Sequence, residues 1–276
     1  QTDTVEVAAG EYAESLTIST DDITLRGAGD GSDSASNTVI SGSGSQTGVV
    51  VSANGTTISG VNVTNWHTGV RLNSVDDVTL DRVSLSANGN TGLDVPTDQS
   101  IDGLAITDSH LDNNDFGIYL ASNWKDEEES KTTVTDVRIE DTTFNNDAEK
   151  GIYAETLDNA VLENLTVIAS GQGPNPTNYP PNNGIDINLK RGEYSNITIA
   201  NSTFENAGVL SEQNAGDDLS GALVIKARDD SSYESVPANL SDVTVRTNTF
   251  TGTVSNTTVA LRFGEPGADN YGPTGI

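Results

Sequence analysis

The 276-residue chain has no cysteine and no methionine. Without thiols it has neither a disulfide framework nor a thiolate metal site. No apolar run approaches the roughly 18 residues that would suggest a membrane-spanning helix. Aromatic residues make up only 5% of the sequence, fewer large side chains than one globular core of this length normally uses. Positive charge is also scarce: 13 Lys and Arg stand against 41 Asp and Glu, for a formal net charge of −28. A phosphate backbone needs a basic patch, so nucleic acid is excluded as the expected partner. That much negative charge repels itself in dilute buffer. Molar salt cuts the Debye length to roughly 3 Å and removes most of the repulsion. Scattered acidic residues with only five lysines look like the surface of a halophilic protein. The chain starts at Gln1 rather than Met, and the expectation is either a processed N-terminus, which would mean export, or the edge of an excerpt.

What the sequence has in abundance is short, β-branched, alternating segments separated by Gly and Asn. One element recurs as Gly69-Val-Arg-Leu72, Gly92-Leu-Asp-Val95, Gly117-Ile-Tyr-Leu120, Gly151-Ile-Tyr-Ala154 and Gly184-Ile-Asp-Ile187, with a degenerate copy at Gly221–Ile225. The second recurs as Val78-Thr-Leu80, Leu104-Ala-Ile106, Val137-Arg-Ile139, Ile197-Thr-Ile199 and Val243-Thr-Val245, with a weaker copy through Leu162. Each is followed five residues later by one large apolar anchor: Leu85, Leu111, Phe144, Phe204 or Phe250. Period-2 alternation over four or five residues means short strands with one buried face. Asn88-Gly89 is the one pair with attractive hairpin chemistry. A fixed order of strand types repeating in one direction instead describes a solenoid, in which each strand pairs with its counterpart one coil away. Asn113, Asn146 and Asn206 each stand two residues after an anchor. They suit left-handed backbone or an Asn ladder between coils. The expected organisation is a single domain over 1–262, with a polar Gly/Pro-rich tail over 263–276.

The segments Val5-Glu-Val7-Ala-Ala-Gly10, Ile23-Thr-Leu25-Arg-Gly27 and Val39-Ile40-Ser-Gly42 resemble the first coils of pectin-lyase-like proteins, and the later repeats resemble the generic repeat of that family. The resemblance implies an all-β, right-handed parallel β-helix. It is poor for function, because this scaffold hosts lyases, hydrolases, epimerases, tailspikes and surface proteins. The Gly-His-Gly motif and paired aspartates of the related galacturonan hydrolases are missing here. His67 and His110 stand alone near turns.

Four polar stretches lengthen the later coils: 122–131, 171–182, 209–220 and 228–239. All adjoin the Gly-started strand, so loop insertions on one face are expected to flank a groove. Alternation points Arg71, Asp94, Tyr119, Tyr153, Asp186 and Val224 outward in one column. Asn73, Glu155, Asn188 and Lys226 form a second, and Lys190 with Arg228 a third. Tyr119 above Tyr153 suggests a sugar platform, with Asp186, Asn188 and Glu155 as further glycan contacts. Lys190, Arg191, Lys226 and Arg228 form a positive cluster suited to an acidic polysaccharide. Lys190 or Lys226 would take a proton and Arg228 would neutralise a carboxylate; the blander expectation is an ion-pair ladder with Asp186, Glu155 and Asp229. Asp94 and Asp186 lie three coils apart, roughly 14 Å, too far for a glycosidase pair. Asp76-Asp77 and Asp217-Asp218 are weak Ca²⁺ candidates, and no other cofactor is signalled. Seven sequons, at Asn54, Asn62, Asn164, Asn196, Asn201, Asn239 and Asn256, permit N-glycosylation. The leading expectation is a non-enzymatic extracellular or cell-surface protein that assembles with itself or binds glycan. The alternative is a polysaccharide lyase or related enzyme acting on acidic polysaccharide.

Overall fold

In the computed structural model of the chain, the described residues are 3–122, 132–173, 182–208, 220–229, 233, 236–252 and 258–264. They form a right-handed parallel β-helix. Among the described residues every strand pairing is parallel and joins one coil to the next. Thr91–Val95, for example, lies between Thr68–Leu72 and Phe116–Leu120. Among the described residues one wall is an eleven-stranded sheet and the facing wall a nine-stranded sheet; a four-stranded sheet adds a third side to the later coils. The repeats read from the sequence set the register. Val78, Leu104 and Val137 are paired in line, as are Leu80, Ile106 and Ile139. The Asn88-Gly89 turn joins strands of two different walls instead of closing a hairpin.

The core is a thin column of Val, Ile and Leu running along the axis. Val70, Leu93, Ile118, Ile152 and Ile185 stack from the nine-stranded sheet, and Leu80, Ile106, Ile139, Leu162 and Ile199 face them from the other wall, all buried. Phe204 stacks on Phe250 at 4.8 Å between ring centroids. Each coil buries little by itself, so stability comes from stacking neighbours.

The recurring glycine has a steric cause. A Cβ on Gly117 would lie 2.4 Å from the carbonyl oxygen of Gly151, and one on Gly92 would lie 2.6 Å from that of Gly117. At this corner the coils approach too closely for any side chain. Asn113, Asn146 and Asn206 are all left-handed, with φ of 61°, 58° and 51°, as the turn chemistry requires. The ladder belongs to the residue after them. Asn88 Oδ1 accepts from Trp66 N at 3.1 Å, Asn114 Oδ1 from Asn88 N at 3.0 Å, and Asp147 Oδ1 from Asn114 N at 3.0 Å. Ser170 Oγ then accepts from Asp147 N at 3.2 Å.

The strand Asp3–Glu6 is exposed along its length and pairs on one side only among the described residues. Its Asp3 and Glu6 are the kind of edge charge that discourages pairing with another chain.

Candidate active site

The outward columns fall where alternation puts them. Arg71, Asp94, Tyr119, Tyr153, Asp186 and Val224 are neighbours in register on the nine-stranded sheet, and Asn188 pairs with Lys226. Asp94 and Asp186 are separated by Tyr119 and Tyr153, which keeps the two carboxylates three coils apart. Exposure differs from the expectation. The first column is half-open at Arg71 and Tyr119 but buried at Asp94, Tyr153 and Asp186, and Glu155, Asn188, Lys190, Lys226 and Arg228 of the other two columns are buried as well. A β-sheet surface normally keeps such groups in water, because burying them unpaired is costly.

The tyrosine pair is therefore not an open platform. The rings of Tyr119 and Tyr153 are 5.1 Å apart at 40°, and Phe116 stacks on Tyr119 at 5.3 Å. Lys150 Nζ lies 4.8 Å from the centroid of Tyr153 and Lys190 Nζ 5.8 Å from it, so the ring is flanked by cations. Its hydroxyl is the hub of the network. It donates to Glu155 Oε1 at 3.0 Å and accepts from Asn188 Nδ2 at 3.0 Å, with Lys190 Nζ at 3.5 Å. Burial first, then the Glu155 and Asp186 charges, push the Tyr153 phenol well above its ordinary pKa. Tyr119 is raised for the same first reason. Both are phenols, not phenolates, at neutral pH.

Lys190 forms a close ion pair with Glu155, the pairing that the ion-pair reading expects. The other carboxylate oxygen, Glu155 Oε2, accepts from Ser122 N at 2.9 Å, at the start of the first insertion. Asp186 faces a lysine that the sequence reading passed over: Lys150 Nζ stands 4.0 Å from Asp186 Oδ2, and Asn183 Nδ2 donates to that oxygen at 2.9 Å. Burial lowers the Lys150 pKa, opposed by the Asp186 charge. Lys150 and Asn183 share a register column with Phe116 immediately before the repeat glycines. That position was the available signal for both. Tyr233, within the fourth insertion, packs its ring against Lys190, Arg191 and Arg228 at 5.6, 5.5 and 5.3 Å. Arg262 adds a further cation beside Val224.

The remaining sequence candidates lie elsewhere. Asp76 and Asp77 are exposed within the strand Val75–Ser86, and among the described residues no three His, Cys, Asp or Glu side chains gather as a metal site would require. Asp217, Asp218 and Asn256 lie outside the described residues, as do most of the four insertions. His67 and His110 are exposed, and His110 Nδ1 meets Thr143 Oγ1 at 2.9 Å. Asn54, Asn164, Asn196, Asn201 and Asn239 are exposed, whereas Asn62 is buried in the strand Thr57–Thr64. Asn62 is thereby withdrawn as a glycosylation candidate.

Solved structures similar to this chain include an alginate lyase from Paenibacillus sp. str. FPU-7, 15% identical, with a TM-score of 0.62 over 99% of this chain and 92% of the other. The pectate lyase Pel9A is 13% identical, with a TM-score of 0.49 over 94% and 68%. The A-module of a mannuronan C-5 epimerase from Azotobacter vinelandii is 13% identical, with a TM-score of 0.44 over 100% and 87%. At these identities the likeness is one of fold. No curated protein matches the sequence. The family model described as "Right handed beta helix region" matches residues 47–257, most of the chain and all of the coils that carry the site, and the protein belongs to that family.

Proposed function

We propose that the protein is a lyase of acidic polysaccharide, cleaving a uronate chain by β-elimination on the face around Tyr153. The observation that carries this reading is the Tyr153 hydroxyl, held between Lys190, Asn188 and Glu155 beside Arg228 and Lys226 in a chain of net charge −28. A buried cluster of cations in so acidic a chain suits a polyanion. Arg228 would neutralise the uronate carboxylate, which acidifies the neighbouring C5–H. In the proposed step Lys190 first passes its proton to Glu155 across their ion-pair contact and so becomes an amine. That amine takes the C5 proton, the C4–O bond breaks, a C4=C5 double bond forms, and the Tyr153 phenol gives its proton to the departing oxygen. The alginate lyase that shares this coil is in keeping with the reading. The place of action would be outside the cell, where such polymers lie, and the acidic surface suits strong salt.

Incubation with a panel of polyuronates in about 1 M salt, followed by the ultraviolet absorbance of the unsaturated product, tests this. Tyr153→Phe should lower kcat by about 10²-fold or more and leave polymer binding nearly unchanged. Absence of unsaturated product from every polyuronate would remove the enzyme reading.

The self-assembling surface protein is the second reading, and it ranks behind the lyase because the charged edge strand Asp3–Glu6 opposes pairing between copies. A sharp monomer mass at high concentration in molar salt would end it.

A further inference from the structure

We propose that Asp186 is a specificity residue which demands a free ring hydroxyl on the sugar, so that the site takes unsubstituted polyuronate and turns away the O-acetylated polymer. The inference rests on reading this face as a polyuronate site. Asp186 stands beside Tyr153 in the register, and its side chain is 2% exposed. One carboxylate oxygen is held: Oδ2 accepts from Asn183 Nδ2 at 2.9 Å and faces Lys150 Nζ at 4.0 Å. The other, Oδ1, is buried and has no hydrogen-bond donor among the described residues. Asn188, two residues on and on the same face, repeats the arrangement. Its Nδ2 is committed to the Tyr153 hydroxyl at 3.0 Å, while its Oδ1 has no donor among the described residues.

Buried acceptors of this kind are rare, and each costs about 1–3 kcal/mol while unmet, more when charged. Here two occur on residues whose Cα atoms are about 7 Å apart along one strand, and one of these residues, Asn188, is bound through its other end to the hydroxyl at the hub of the network. Each of the two residues is fixed through its other end. Both unmet oxygens lack a proton to give, so the group that satisfies them must be a donor. The carboxylate of a uronate cannot serve; it belongs with Lys190, Lys226 and Arg228 on the neighbouring columns. Sugar hydroxyls are donors, and an acetyl ester at the same oxygen is not. A site built to bind a hydroxyl rejects the analogue lacking it far more strongly than an apolar pocket rejects a change of size.

The test compares one O-acetylated polyuronate with the same polymer after alkaline deacetylation. Double-bond formation and calorimetric affinity for oligomers are read on the same samples. The wild-type protein should favour the deacetylated form by about 30-fold in both. Asp186→Asn keeps the shape but inverts one end. Asn183 and Lys150 are donors and will hold the amide oxygen, which leaves the amide NH₂ facing the sugar. This variant should lose about 30-fold on the deacetylated polymer, with its preference falling towards unity. Equal handling of the two polymers by the wild-type protein overturns the proposal without any variant, and so does an Asp186→Asn protein that keeps the full preference. Affinity that follows acetylation with no double bond formed sinks the lyase reading and leaves the hydroxyl contact standing. Cleavage that ignores acetylation does the reverse. No binding and no cleavage of either polymer overturns both.

Discussion

Glu155 accepts the Tyr153 hydroxyl at 3.0 Å through the same oxygen that pairs with Lys190. One buried carboxylate therefore compensates the lysine and adds to the burial that raises the pKa of the phenol.

Glu155→Gln separates these effects from the shape of the site. The amide can still accept from Tyr153, but Lys190 loses its countercharge while buried. A loss of about 3 kcal/mol in stability is expected, read from denaturant unfolding. The charge that helps to raise the Tyr153 pKa also disappears. Tyr153 must be protonated to act as an acid, so the alkaline limb of kcat/KM should move to lower pH. An unchanged profile with unchanged stability would show that Glu155 is incidental.

Asp147 replaces an asparagine in the turn ladder. It is fully buried, and burial holds its carboxyl well above the ordinary range despite the hydrogen bonds from Asn114 and Ser170. The folded state therefore binds its proton more tightly than the unfolded state does. That contribution is complete below the unfolded pKa of about 4 and fades as pH rises towards the folded value. Asp147→Asn needs no proton to sit in the ladder. It should be more stable than the wild type at neutral pH and should flatten the decline in Tm as pH rises above about 4. Thermal melts of the two proteins across that range decide the matter.

Gly117→Ala tests the close corner. Its Cβ would fall 2.4 Å from the Gly151 carbonyl oxygen, so the coils must part. A cost of about 1–3 kcal/mol is expected, or a fall in Tm of several degrees. A variant melting with the wild type would show that the glycine column has another cause.

Salt should stabilise the chain. With a net charge of −28, raising sodium chloride from about 0.05 M to about 1 M should lift Tm by roughly 10 °C. Most of that rise should come in the lower part of the range, where the Debye length is still long. A flat melting temperature would argue that the acidic residues serve something other than a saline environment.

The sequence by itself determined the coil, its register and the direction of side chains along it. The reason is that period-2 alternation and a fixed strand order are local and additive: Val70, Leu93, Ile118, Ile152 and Ile185 point inward wherever the chain goes, and Tyr119, Tyr153 and Asp186 must then point out. The left-handed asparagines were legible for the same reason, since their conformation is set by their own backbone. Only the tertiary structure decided what the outward face is for. Alternation says which side a residue faces but not what lies over it, so the burial of Tyr153, Lys190 and Lys226 was out of reach. So was the arrival of Tyr233 against Lys190, Arg191 and Arg228. The pairing of Lys150 with Asp186 spans 36 residues and two coils. It depends on how far each side chain leans along the axis, which no repeat encodes. The same holds for Asn62, whose sequon was plain and whose place inside a paired strand was not.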